Sequence, residues 1–378
     1  MEQQTVELVF WSAVALLVYV YAGYPFLVRL CAALRPRIVL RRAQEPSVTL
    51  VVAAGDAAAW IDDKLDDCLT LDYPHNQLQV VLVCNGSADE TLARARAFRS
   101  PRVDIVEFRE RRSRAACLNE AVRHARGDII LFSSVRQKFD RAALQNIVMN
   151  FVDETVGAVI CDAIPDPDTR RGFSIRTDLH ARLERWLRVH ESRFSSAVGA
   201  GGAPYAIRRD CFRPMPEETV LDEVLVPMNV VLNRKRVVFD RHAVAYDSPS
   251  VSRFRERHHG IRLMAGNCQL VLLAPSLLSP FRNRVFVQFI SHRLLRVVAP
   301  FLHAIALVTS FMLAMEAPGY RYAVIIQLVM YIIALFGILL PTAQRLNIIR
   351  VHTAFLLQNW FALLGLFRFA RYRRSLPW

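Results

Sequence analysis

The stretch "LVFWSAVALLVYVYAGYPFLVRLCAAL", residues 8–34, carries a single charge, Arg29. A run of that length reaches across ~30 Å of hydrocarbon, where only a helix or a closed barrel satisfies its own backbone polar groups. It predicts an N-terminal membrane helix. A cleaved signal peptide is the alternative, but the run is long and the preceding "MEQQTVE" is acidic, whereas a signal begins with basic residues. Arg35, Arg37, Arg41 and Arg42 follow directly. By the positive-inside rule they place the N-terminus outside and residue 45 onward in the cytoplasm.

Between residues 45 and 250 the pattern changes to short apolar strands alternating with helical periods. "SVTLVVAA", "LQVVLVC", "VDIVEF" and "DIILFSS" read as strands. "AAWIDDKLDDCL", with Trp60, Ile61, Leu65 and Leu69 at helical spacing, and "RAACLNEAVRHA" read as helices. Such βαβ order predicts an α/β domain with a mostly parallel sheet and helices on both faces. Ligands of open α/β sheets bind at the carboxyl ends of strands, so the exits at 53–58, 84–89 and 133–138 are the candidate site. Residues 251–297 turn basic and then apolar, as in a segment lying on a membrane surface. Residues 298–378 are a second membrane region in which "YAVIIQLVMYIIALFGILL" (322–340) is a clear span, whereas "TAFLLQNWFALLGLF" (353–367) is short for a crossing. If every apolar segment crossed, the arginines of "RFARYRR" would land outside, against the charge rule. One segment is therefore expected to be interfacial or re-entrant.

The apolar fraction of 53% accords with a multi-pass membrane protein, and the net charge of +14 suits nucleic acid, anionic lipid or a phosphorylated substrate. No zinc-finger spacing and no run of interleaved aromatic and basic residues is present, which sets nucleic acid aside. The seven cysteines are scattered without a C-x-x-C pair, as expected of reduced thiols.

The stretches "KLDDCLTLDYP", "VVLVCNGSADET", "RAACLNEAVRHARGDIILF", "GAGGAPYAIRRDCF", "LDEVLVPMNVVLNRKRVVFDRHAVAYD", "IRLMAGNCQ" and "FISHRLLRVVAPFL" occur in an order and spacing that resembles the membrane-bound family 2 glycosyltransferases of bacterial polysaccharide synthesis. The resemblance implies a GT-A fold, a Rossmann-like cytosolic domain over residues 45–250, with N- and C-terminal transmembrane helices in the inner membrane. It implies transfer of a sugar from a nucleotide-sugar donor to a membrane lipid or glycan acceptor. Other polysaccharide-synthesis proteins are implied as partners.

Residue by residue, the chain departs from the family pattern at the donor side. Where the family has Tyr-Asn-Glu after the first strand, this chain has Gly55, Asp56 and Ala57. Asp56 suits a bond to the base or ribose, or a cap on the helix near Ala58. The family's Asp-Gly-Ser-x-Asp is "NGSAD", so Asn85 is left to pair with a base edge, and Asp89 suits a cap on the next helix. Arg114 matches a basic residue facing the nucleotide, although a solvated loop beside Arg109, Arg111 and Arg112 is as good a reading. The resemblance aligns Ser133, Ser134, Val135 and Arg136 with the family's Ser-Asp-Ala-Asn or Ser-Asp-Ala-Asp. Serine hydroxyls cannot supply the carboxylate that a hard divalent ion prefers, and Asp140 suits a helix cap, so no metal cofactor is expected. Arg136, with Lys138, suits direct contact with the diphosphate.

At the acceptor side "VLDEVLVP" aligns Glu223 with the family's catalytic base and Asp222 with its acidic neighbour. A solvated acidic pair before a helix is the competing reading. Gly199, Gly201 and Gly202 are expected to line the acceptor. Arg262 keeps a family arginine, while His258, His259 and Gly260 stand where relatives carry arginine. Adjacent histidines share no helix face, so phosphate or headgroup contact with Arg255 and Arg257 is expected over a metal. Two functions remain open: an active inverting glycosyltransferase with a metal-poor donor site, or an inactive pseudo-glycosyltransferase serving as partner or regulator of an active synthase.

Overall fold

Every residue of Val48–Ala54 (β1) but one is buried, so this apolar run belongs in the middle of a sheet. The computed structural model describes residues 2–166, 178–247 and 253–372. β1 lies between Leu78–Asn85 (β2) and Ile129–Ser134 (β4), and β2 pairs in turn with Val103–Phe108 (β3). All four strands are parallel. Ile61–Leu69 (α3), Thr91–Ala97 (α4) and Arg114–His124 (α5) make the crossovers. α3 buries Ile61, Leu65 and Cys68, while Trp60, expected on the same face, precedes the helix and is half-exposed.

The other half of the sheet is mixed. Tyr205–Arg208 (β7) runs antiparallel to β4, Val156–Pro165 (β6) antiparallel to β7, and Arg236–Asp247 (β8) parallel to β6. Gln137–Phe139 (β5) closes the order β3-β2-β1-β4-β7-β6-β8-β5. Ala143–Met149 (α6), Asp178–Phe194 (α7) and Asp222–Leu232 (α8) complete the domain. One apolar cluster joins α5 and α8 to one face of the sheet, and a second joins α3 and α6 to the other. That two-sided burial is why the central strands read as unbroken apolar runs.

Glu2–Val18 (α1) passes through a π turn at Tyr19–Gly23 into Tyr24–Leu34 (α2). After the domain come Arg253–Leu273 (α9), Phe286–Phe289 (α10), a second π turn at Ile290–Leu294, Leu295–Ala314 (α11), Pro318–Leu339 (α12) and Asn347–Tyr372 (α13). Among the described residues four helices are long and apolar enough to cross a membrane: Gln3–Leu34, Phe286–Ala314, Pro318–Leu339 and Asn347–Arg371. The segment expected to be too short at 353–367 belongs to α13, a helix of 26 residues.

A buried polar network fastens the candidate membrane helices to the domain. Tyr24 Oη donates to Glu191 Oε1 of α7 at 2.5 Å, and His292 Nδ1 lies 2.7 Å from the same oxygen. His292 Nε2 sits 3.1 Å from Glu184 Oε2, and Arg296 pairs with Glu184. Breaking one member would leave an uncompensated charge away from water, the costly way to lose a buried ion pair. α13 in turn lies against α9. A Cβ on Gly365 would come within 2.6 Å of Met264 Cβ, so only glycine permits that approach.

Candidate active site

The exits of β1, β2 and β4 stand side by side. Asp56 adopts a left-handed backbone (φ 50°) just after β1. Its Oδ1 accepts from Ala88 N at 2.9 Å, and its Oδ2 pairs with Arg111 Nη1 at 2.9 Å. Asp56 therefore does not cap α3; Asp89 accepts from Ala58 N at 3.0 Å and from Thr91 N at the start of α4. Those hydrogen bonds, the one from the Thr91 side chain above all, hold the Asp89 carboxyl below the usual range. Asn85 uses both ends of its amide on one residue. Its Oδ1 accepts from Arg112 N at 2.7 Å and its Nδ2 donates to Arg112 O at 2.8 Å. Asp56 and Asn85 thus anchor the basic loop 109–113 across the strand exits.

At the β4 exit the chain turns back through Val135 and Arg136 into β5. Ser134 N donates to Gln137 Oε1 at 2.9 Å, and Gln137 Nε2 donates to Gly202 O at 2.8 Å. One buried amide therefore ties the donor strand to the glycine loop. The fully buried Lys64 supports it from α3, donating to Gln137 O and to Asp67 Oδ2, the latter at 3.0 Å. Arg136 is half-buried at the tip of this turn; no hydrogen bond or ion pair joins it to another described residue. Asp140 turns away, accepting from Ala142 N at 3.0 Å in the turn before α6, without the helix cap expected of it.

The acidic pair opens α8. Asp222 is buried, and Arg114 Nε donates to its Oδ1 at 3.1 Å. Arg114, placed by sequence either on the nucleotide or in a solvated loop, thus begins α5 and neutralises Asp222. The attraction of Asp222 raises the Arg114 pKa further. Glu223 is also buried, which excludes a solvated acidic pair. Burial first, and the Asp222 charge second, raise the Glu223 carboxyl above its ordinary value, with Arg262 opposing. Arg262, on α9, donates from Nη2 to Val220 O at 2.7 Å and so braces the turn before the pair.

The glycine loop faces this pair. Ala200 N donates to Glu223 O at 2.8 Å, while Arg188 Nη1 and Arg293 Nε hold the carbonyls of Ala200 and Val198. Gly199 (φ 116°) needs glycine twice over, since a Cβ would also meet Arg293 Nη2 and Val224 Cγ2 at 3.0 Å. Gly201 and Gly202 are left-handed as well, and beside Gly202 the space is open. Behind the loop a cavity of about 160 Å³ lies between the membrane helices and α9, lined by Tyr21, Glu184, His259, Asn267, Arg293 and Arg296 among others. Arg293 reaches both cavity and loop. Gln137, Lys64 and Arg293 were not singled out in the sequence, where each reads as an ordinary polar residue in a strand or helix. The side chain of Arg255 lies outside the described residues, and Arg257 is exposed.

The strand exit offers two hydroxyls and a guanidinium where a hard divalent ion prefers carboxylate oxygens. Those residues do not fit a metal, and among the described residues no group of three or more His, Cys, Asp or Glu is placed to hold one.

A parallel Rossmann-like half-sheet with a polar strand-exit cleft, joined to a glycine loop and a buried acidic pair, defines the GT-A class of nucleotide-sugar transferase folds. Residues 49–203 match the family model described as glycosyl transferase family 2. Among solved structures, the mannosyltransferase PcManGT from Pyrobaculum calidifontis, in complex with GDP-Man and Mn2+, superposes with a TM-score of 0.70 at 22% identity over 95% of this chain and 98% of its own. TarS residues 1–349 from S. aureus, in complex with UDP-GlcNAc, give 0.42 at 14% identity over 74% and 89% of the two chains. Glucosyl-3-phosphoglycerate synthase from Mycobacterium tuberculosis, with Mn2+, UDP and glucosyl-3-phosphoglycerate, gives 0.41 at 15% over 60% and 80%. No curated protein matched the chain by sequence.

Proposed function

We propose that the chain is an inverting, membrane-bound glycosyltransferase that moves a sugar from a nucleoside-diphosphate donor to a lipid or glycan acceptor at the membrane. The observation that carries this reading is the placing of Glu223: a buried carboxylate against the glycine loop, next to an Asp222 paired with Arg114, where burial raises its pKa. A raised pKa brings a general base towards the operating pH, where proton transfer is most effective. Glu223 removes the proton from the acceptor hydroxyl as its oxygen attacks the anomeric carbon. The bond from that carbon to the diphosphate breaks on the opposite face, and the leaving group takes the electron pair. Arg136, aided by Lys138, meets the charge that develops on the phosphates. Asp56 and Asn85 fix the loop beside the nucleotide; Ser134, through its link to Gln137, holds the donor turn.

The acceptor reaches Glu223 past Gly201, Gly202 and Arg262, from the cavity bordered by membrane helices. The packing of α13 on α9 favours α13 as the interfacial segment, leaving three crossings, a cytoplasmic domain and cytoplasmic C-terminal arginines. A pseudo-glycosyltransferase remains the second reading, favoured by the Asn85–Arg112 and Asp56–Arg111 contacts that engage the base-side groups within the chain. The deciding experiment incubates membranes containing the full chain with labelled UDP- and GDP-sugars. Transfer to membrane material that Glu223→Gln abolishes supports the enzyme; nucleotide binding without transfer or hydrolysis by the native chain supports the partner role.

A further inference from the structure

A second basic site lies at the opposite end of the sheet from the strand exits. Arg37, Arg234, Arg236 and Arg284, together with Ile38, Leu40, Asp153 and Thr155, line a hollow of about 430 Å³. The four arginines come from separate places in the chain. Arg37 follows α2, Arg234 and Arg236 flank the turn from α8 into β8, and Arg284 precedes α10. Donors bind at the carboxyl ends of β1, β2 and β4, whereas this hollow sits where β6 and β8 begin. It is separate from the site already described.

Arg37, Arg234 and Arg284 are exposed, so their like charges face one another across a hollow open to a ligand. Arg236 is buried, and its donors are held by the carbonyls of Arg37, Ser192 and Ser195, none of which neutralises its charge. Asp153 accepts from Leu40 N and from Thr155, and makes no ion pair with these arginines. Arg234 adopts a left-handed backbone (φ 65°) at a helix end where glycine or asparagine is the common choice. The strained residue presents its carbonyl to Arg284. Burial and the charges of Arg37 and Arg234 lower the Arg284 pKa.

The surroundings indicate what relieves this crowding. Arg37 lies three positions beyond the candidate span ending at Leu34, and Arg284 two positions before the one starting at Phe286. Ile38 and Leu40, which line the hollow with the arginines, are 86% and 70% exposed apolar side chains. Basic groups with apolar neighbours at the mouth of membrane helices match a ligand with phosphate oxygens and an adjoining acyl chain. We propose that this hollow binds a phosphate-bearing anion, the headgroup of an acidic phospholipid, and so fixes the domain's height and tilt on the membrane.

The test uses the full chain in a neutral detergent and follows its melting midpoint. Phosphatidylglycerol, phosphatidylcholine and inorganic phosphate are added at matched ionic strength. Phosphatidylglycerol is expected to raise the midpoint and phosphatidylcholine to leave it unchanged. The double variant Arg37→Gln/Arg284→Gln should need roughly fivefold more phosphatidylglycerol for each arginine lost, which corresponds to about 1 kcal/mol apiece. Arg37→Lys/Arg284→Lys, which keeps the charge, should recover part of the effect, and Arg282→Gln, outside the hollow, should behave as native. If inorganic phosphate alone gives the full shift and the double variant loses it, the site stands and its ligand is soluble phosphate. A phosphatidylglycerol response unchanged in the double variant, or no response of the native chain to any addition, overturns the proposal.

Discussion

Replacing Arg136 with alanine separates phosphate binding from folding. Arg136 sits at the tip of the β4–β5 turn, half-buried, and the turn itself is held by Gln137 and Lys64. Truncating a side chain that no hydrogen bond ties to another described residue should change stability by about 0.5 kcal/mol at most. A hydrogen bond to a charged group contributes roughly 1.5–3 kcal/mol, so losing the phosphate contact should weaken UDP or GDP binding about 10- to 150-fold. Binding and stability therefore move by clearly different amounts. Calorimetric titration of the full chain with each nucleotide, with magnesium or manganese and again with chelator, measures this directly. Native binding is expected to survive the chelator and to weaken as salt rises. Arg136→Lys should fall between native and alanine, because it keeps the charge but loses the planar fork. Native affinity in Arg136→Ala, or binding that the chelator abolishes, refutes metal-free phosphate contact at this residue.

Glu223→Gln should remove most turnover while leaving donor affinity nearly unchanged, measured as kcat against Kd. Because the folded pKa of Glu223 is raised, its contribution to stability is full below the ordinary glutamate value and is lost as pH rises through the folded value. The variant should therefore melt above the native chain at neutral pH and lose that advantage in acid, and the native rate should fall on the acid side at a pH above the ordinary glutamate range. Arg114→Leu leaves the Asp222 carboxylate buried and uncompensated, which costs about 3–5 kcal/mol and should show as a marked drop in melting midpoint. Gly199→Ala should lower turnover more than it lowers donor affinity, since its Cβ would crowd Arg293 and Val224 on the acceptor side. A membrane-impermeant thiol probe on intact cells should label Gln3→Cys and Glu316→Cys but not Leu346→Cys; labelling of Leu346→Cys would contradict three crossings.

The parallel half of the sheet is legible in the sequence because β1, β2 and β4 are buried on both faces and so read as unbroken apolar runs. The mixed half is not. β7 has four residues and pairs with β4 across a long stretch of sequence, and β8 carries Asp240, Arg241 and His242 in mid-strand. Nothing local in either segment encodes the partner. The acidic pair was legible by type and position, but its asymmetry was not. Arg114 is distant in sequence from Asp222, and only the fold brings them to 3.1 Å. Lys64 illustrates the limit of periodicity, since "KLDDCL" places a lysine where a solvated face is the natural reading. Its ammonium is instead satisfied inside by Asp67, Gln137 and the Phe139 ring.

The base-side contacts weigh less against catalysis than they first suggest. The Asp56–Arg111 pair is exposed on both sides, and such pairs contribute at most about 1 kcal/mol. An arriving nucleotide can open it at little cost and gain Arg111 for its phosphates. The Asn85–Arg112 contact is firmer, but it is made to backbone atoms and leaves the Arg112 guanidinium at the surface beside the same cleft. On the proposed reading, Arg111, Arg112 and Arg136 supply the positive charge beside the donor cleft. The acceptor half has its buried carboxylates, held by Arg114 and Arg262 beside three glycines whose positive φ other residues rarely adopt. A scaffold with no chemistry to perform gains nothing from a buried glutamate with a raised pKa, and substitution would relieve it. The buried acidic pair on the acceptor side favours an enzyme whose donor charge is met by arginine.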